Sequence, residues 1–290
     1  MPLTLLRGQF RIVGTSPDGD SIRFYPADPG IWARARIEVR ANAHGGVQLR
    51  LDAVDALETH YTPRSSPHTW RQNPQVGNGA AAALLELLGF GDVVRDEQET
   101  VTAATPSARP GAILTRFADK YGRAVAMVFA DGQQPAGDDG APVFLDAVGL
   151  RTSVNSRLLE AGWAYPTFYS RLYHDLRDAL AEGARTSRDA GRGVWAADST
   201  NAGFELRSRE QLTTELVLLP KLFRRLADYL ALDNTGGVDL GGFVAFLAAW
   251  PDRLFTVPDG QSTNLDTFVE VHGQHLRLTR PPERLVFLEK

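Results

Sequence analysis

The chain has no cysteine. That excludes disulfides and thiolate metal sites but leaves the compartment undecided, because 290 residues can bury a core that needs no covalent staples. No apolar stretch runs long enough to cross a membrane, and the opening stretch Pro2 to Arg7 is too short an apolar run for a secretory signal. The expectation is a cytoplasmic protein with no membrane partner, or a secreted one whose signal has been trimmed. The chain also lacks an excess of positive charge. A formal net charge of −4 argues against a general nucleic-acid coat. A local cationic site for one phosphate survives that objection, since Arg50, Arg116, Lys120 and Arg123 could supply it. Affinity for a polymer would then be modest and salt-sensitive. What remains is ordinary for a soluble globular protein, with 43% hydrophobic and 23% charged residues. The length suits one large domain or two ordinary ones.

The most informative stretch runs from Leu49 to Glu58, Leu-Arg-Leu-Asp-Ala-Val-Asp-Ala-Leu-Glu. Its beginning alternates as a strand does, and its end carries two carboxylates, Asp55 and Glu58, after an arginine at Arg50. Strict alternation puts Arg50 and Asp55 on opposite faces, so one shared site requires the strand to bend, bulge or end before Asp55. Taken alone, the decapeptide reads as an edge strand with solvated charges. Upstream, Pro17-Asp18-Gly19-Asp20-Ser21-Ile22-Arg23-Phe24 is a turn feeding a strand, with carboxylates at its tip. Downstream, Asp119-Lys120-Tyr121-Gly122-Arg123 is another turn, followed by the apolar run Ala124 to Phe129.

Around these, residues 8–14 and 21–25 read as a first hairpin, and Ala35 to Val39 alternates as an extension of the sheet. Thr62 to Asn78 reads as a loop, and Ala80 to Leu88 as a helix with Asn78 as cap and Gly89 as stop. Thr100 to Pro110 reads as a polar surface insertion, Gly111 to Phe117 as a strand and Gln133 to Ala141 as a loop. Val154 to Ala161 is helical, and Leu172, Leu176 and Leu180 mark an amphipathic helix. From Asn201 the character changes. A helix beginning near Pro220 and another around Phe243 precede an alternating tail with a turn at His272-Gly273.

Asp18-Gly19-Asp20-Ser21, Arg50 with Asp55-Ala56-Leu57-Glu58, and Asp119-Lys120-Tyr121-Gly122-Arg123, in that order, resemble the staphylococcal nuclease (thermonuclease) family. Its pattern is Asp-Gly-Asp-Thr, then Arg followed by Asp-Thr-Pro-Glu, then Asp-Lys-Tyr-Gly-Arg. Asn155 to Ala164 and Gly193-Val194-Trp195 resemble its later helix and closing segment. The resemblance covers residues of about 8–200. It implies an α+β chain: a five-stranded oligonucleotide-binding (OB) β-barrel with covering helices over residues 1–200. Residues 201–290 form a C-terminal α-then-β appendage of unknown role. The first segment is expected to fold and work without the second.

The resemblance also implies roles. Asp20 and Asp55, with the backbone carbonyl of Ala56, would hold a calcium ion, a hard dication that takes oxygen ligands. Arg50 and Arg123 would clamp the phosphate, since the guanidinium fork matches two phosphate oxygens. Glu58 would act on the attacking water as general base. Lys120 and Tyr121 would contact a terminal phosphate, and Phe168, beside Tyr169, would stack on a base. Ala56 and Leu57 stand where the family has Thr and Pro. The implied activity is calcium-dependent hydrolysis of phosphodiester bonds in DNA or RNA, single strands preferred, leaving 3′-phosphate ends. The rival is a catalytically weak nucleic-acid-binding or scaffolding module, with residues 201–290 as a partner surface. DNA against RNA, and internal against terminal cleavage, are not legible.

Overall fold

The computed structural model describes residues 2–233 and 235–289. Its first part runs β1 (Leu3–Arg11), β2 (Ser21–Pro26), a one-turn helix α1 (Ile31–Arg34), β3 (Val47–Leu51), β4 (Val54–Asp55), α2 (Pro74–Leu87), β5 (Gly91–Arg95), β6 (Val101–Thr105), β7 (Ala108–Ala118), β8 (Ala124–Ala130) and β9 (Pro142–Val143). It continues as α3 (Ala147–Leu150), α4 (Val154–Ala161), β10 (Tyr165–Pro166), β11 (Phe168–Tyr169) and α5 (His174–Asp189). The last part holds β12 (Phe204–Glu205), α6 (Arg209–Thr214), α7 (Pro220–Leu230), α8 (Phe243–Ala249), β13 (Arg253–Thr256), β14 (Ser262–Asn264), β15 (Val269–His272), β16 (His275–Leu278) and β17 (Leu285–Phe287).

Strand β2 pairs with β1 and β3, β3 lies parallel to β8, β8 pairs with β7, and β7 returns to β1. That circuit closes the expected OB-type barrel of five strands, with β9 added at β1. Closure is driven by burial: Phe10, Ile22, Phe24, Leu49, Ile113, Val128 and Phe129 are fully buried in one cluster. Helices α2, α4 and α5 cover it through Leu84, Leu158 and Leu176. Helix α4 forms where it does because Ser153 caps its first turn and Gly162, at φ +78, ends it in the left-handed conformation.

Two sequence expectations are corrected and one is refined. Ala35 to Val39 is not a strand; it follows α1 as a turn with Arg36 at φ +56. Thr100 to Pro110, read as a polar surface insertion, lies mostly at the surface but holds regular structure, β6 and the start of β7, with β6 paired to β5. Helix α2 begins earlier than Ala80, because Asn73 accepts from Val76 N–H and Pro74 sits in the first turn.

Residues beyond 200 are not laid out alone. Strand β17 pairs parallel with β11, Phe168 opposite Val286 and Tyr169 opposite Phe287, and β17 in turn pairs with β13. A second buried cluster joins Leu57, Tyr165, Val194 and Trp195 of the first part to Leu218, Leu222, Phe223, Leu226, Phe243 and Phe287 of the last. No helix among the described residues is long and apolar enough to cross a membrane.

Candidate active site

The site grows from the end of β3. Ser21 lies opposite Arg50, and the N–H of Leu51 donates to the carbonyl of Asp20 at 2.8 Å, which places Asp20 beside the strand. The chain then bends as the alternation required. Ala53 takes φ +69, its carbonyl accepts from Thr167 N–H, and the carbonyl of Asp52 accepts from the Asn155 amide at 2.8 Å. Beyond the bend, β4 turns Asp55 inward opposite Tyr165, where it is almost fully buried. The Asp20 carboxylate accepts from Ala56 N–H at 3.3 Å, closing the gap between the two acidic segments. Gly19 permits this approach, since a Cβ there would lie 2.6 Å from the Ala56 Cβ and 2.7 Å from the Ala80 Cβ. Glu58 is aimed by Gln72, whose side chain accepts from Glu58 N–H at 3.0 Å, donates to the Leu218 carbonyl, and whose N–H reaches the Glu58 carbonyl.

A residue that sequence reasoning did not single out completes the site. Arg224, on α7, donates to both oxygens of Asp55 at 3.1 and 2.7 Å and pairs with Glu58 through its first terminal nitrogen. Its neighbours hold the helix in place. Arg225 forks onto Asp252 at 2.5 and 2.9 Å and reaches Asp228, which accepts from the Tyr61 hydroxyl at 2.8 Å and from Arg64 N–H. Lys221 lies 3.4 Å from the Tyr169 hydroxyl. A signal was present: Lys221, Arg224, Arg225 and Asp228 recur at i, i+3, i+4, i+7, a charged stripe on a helix whose other positions are apolar or aromatic.

The expected residues separate into those that meet and those that do not. Asp20, Arg50, Asp55, Ala56 and Glu58 come together. Arg123 leads into β8, but its guanidinium bonds to Asp119 at 2.8 Å within its own turn, and Lys120 lies over the exposed ring of Tyr121. No hydrogen bond or ion pair among the described residues joins that turn to Asp55 or Glu58. Phe168 is corrected: it is fully buried in the barrel cluster and presents no face to a base. Tyr169, pointing the other way along β11, lies under the Arg50 guanidinium at 4.9 Å instead.

Electrostatics follow from this crowding. Burial, then Asp18, Asp55 and Glu58, push the Asp20 carboxyl well above the usual carboxylate range. Burial also works to raise Asp55, yet Arg224, with Arg50 and Lys221, outweighs it and holds that carboxyl below its ordinary value. Glu58 is raised by burial, which exceeds the opposing pull of Arg224. Tyr169 is lowered to about 8: burial opposes its ionisation, but Lys221 and Arg50 overcome it.

The donor types suit a hard dication, being carboxylates and a carbonyl, and Asp18 Oδ1 is buried without a hydrogen-bond partner. The arrangement does not fit such an ion while Arg224 is in place. Both Asp55 oxygens are committed to it, and among the described residues no group of three or more His, Cys, Asp or Glu side chains is disposed to hold a metal.

No curated protein matches the chain. The sequence profile described as "Staphylococcal nuclease homologue" matches residues 48–197, just over half of the chain. That span contains Arg50, Asp55, Glu58 and the Asp119–Arg123 turn, while Asp20 and Arg224 lie outside it and reach the site only through the fold. With its closed barrel, its bent strand and its clustered acids inside or against the matched span, this chain belongs to the family of staphylococcal nuclease homologues.

Proposed function

We propose that the protein is a nuclease, a hydrolase of phosphodiester bonds in DNA or RNA with a preference for single strands. The observation that supports this reading is the convergence of Arg50, Asp20, Asp55 and Glu58, from separate segments, at the end of β3. Arg50 stays charged under burial, helped by Tyr169 and Asp55, and its fork can hold two oxygens of one phosphate. Its charge persists as negative charge accumulates on the five-coordinate phosphorus. Glu58, raised by burial, is suited to take a proton from an attacking water or to orient it. The proposed cofactor is calcium, held by Asp20, Asp55 and the Ala56 carbonyl once Arg224 has left Asp55; bound, it would polarise the phosphate. Cleavage on the 5′-oxygen side, leaving 3′-phosphate ends, comes with the family reading.

A second reading has its own support. The Arg224 fork neutralises the acids that chemistry would use, as in a nuclease-like module kept for binding or scaffolding. Incubating the full chain with single-stranded DNA or RNA, with calcium and with chelator, and resolving the product ends separates the two. Calcium-dependent fragments with 3′-phosphates support the nuclease. No cleavage under any dication leaves the module.

A further inference from the structure

We propose that Arg224 is a built-in gate on the candidate site: an internal cation that must leave Asp55 and Glu58 before a dication or an attacking water can use them. The proposal rests on the reading of those two residues as the working acids. A dication at Asp55 needs at least one of its oxygens, and Arg224 holds both at 3.1 and 2.7 Å. A water activated by Glu58 needs that carboxylate free, and the same guanidinium pairs with it. A guanidinium already paired with both oxygens repels a second cation and crowds the carboxylate, so a dication binds Asp55 well only when Arg224 withdraws.

The contact is not an incidental surface pair. The side chain of Asp55 is 3% exposed, that of Arg224 21% and that of Glu58 18%. At that burial, removing one partner leaves an uncompensated charge, so the acids hold Arg224 until another cation replaces it. The supporting helix is fastened to the loop that follows Glu58 through Asp228, Tyr61 and Arg64, and to the Tyr169 side of the site through Lys221. Arg224 is thereby positioned by the segment beyond residue 200, which makes that segment part of the site. An arriving phosphodiester gives the released fork another bidentate acceptor, so opening strands no charge.

Calcium titration calorimetry on the full wild-type chain, Arg224→Lys and Arg224→Gln tests this. Lysine keeps the charge but loses the fork, and glutamine loses both. Calcium affinity should rise in the order wild type, Arg224→Lys, Arg224→Gln, with Arg224→Gln tighter than wild type by about tenfold or more, since a competing cation has been removed. Equal affinities, weaker binding in the variants, or no calcium binding by any of the three would overturn the gate. If Arg224→Gln does not fold, as its thermal melt will show, Arg224→Lys decides by the same comparison. Hydrolysis is read separately. Cleavage by the wild type with unchanged calcium affinity in the variants removes the gate and leaves the nuclease. The expected affinity order without cleavage removes the nuclease and leaves Arg224 as the cation that competes for these acids.

Discussion

At the scale of single residues, the site works by pairing charges that burial would otherwise suppress. Arg50 sits over Tyr169 and near Asp55 and Asp20, so it is held charged by its surroundings. Arg50→Lys keeps that charge and loses the fork, and should lower the hydrolysis rate on the order of 10²-fold, the scale of losing one transition-state donor. Glu58→Gln should remove most turnover while leaving nucleotide affinity close to wild type, as steady-state kinetics and calorimetry would show. Tyr169 offers a test that needs no substrate. Its folded-state value of about 8 lies below the ordinary tyrosine value of 10.0. Between those two values the unfolded chain binds more protons, so this group adds stability as pH rises. Its contribution is complete above the unfolded value and is lost as pH falls through the folded one. Urea melts from pH 7 to 10 should show wild type gaining on Tyr169→Phe across that window; parallel curves would mean that Tyr169 is not depressed.

At the scale of elements, the close approach of the β1–β2 turn to the segment after β4 brings Asp20 to Ala56. That approach is possible because Gly19 has no side chain. In Gly19→Ala the new methyl would meet two other methyls fixed to backbone, so the turn must retreat. The expected cost is about 1–3 kcal/mol in chemical denaturation, the range for overpacking a filled interior, together with weaker dication binding as Asp20 moves away. A variant as stable as wild type would show that the turn yields without strain. The bend at Ala53 has the complementary role: it changes the phase of the strand, so that Arg50 and Asp55 serve one site despite their odd separation.

At the scale of the whole molecule, the division at residue 200 stands as a proposal, and the packing bears on it. Leu57, Tyr165, Val194 and Trp195 are covered by residues beyond 200, and β11 finds a partner in β17. Ending the chain after Asn201 would uncover those side chains and leave Asp55 and Glu58 without Arg224. We expect that truncated protein to bind a hydrophobic dye, because the residues of the second cluster that lie before 200 lose their cover. A truncation that melts cooperatively without binding the dye would support the two-unit division.

Much of the barrel was readable because its information is local. Alternation in β3, breakers at the turns, and the odd spacing of Arg50 and Asp55 together called for a bent strand. Helix α4 is equally local, since Ser153 and Gly162 bound it within one turn of its ends. Other features depended on competition between partners. Arg123 carries the right motif, yet Asp119, four residues away, bonds its guanidinium. A strand as short as β11 has no phase of its own, so only its pairing with β17 decided that Phe168 faces the core and Tyr169 faces Arg50. The cation on the acids was the least local of all. Arg224 is 169 residues from Asp55 in sequence. It arrives there because the second apolar cluster folds α7 against Leu57 and Tyr165, and burial of apolar surface carries no mark of which residues it will bring together. By itself the sequence determined a barrel with its acids at the end of one bent strand. Tertiary packing decided which cation those acids would meet.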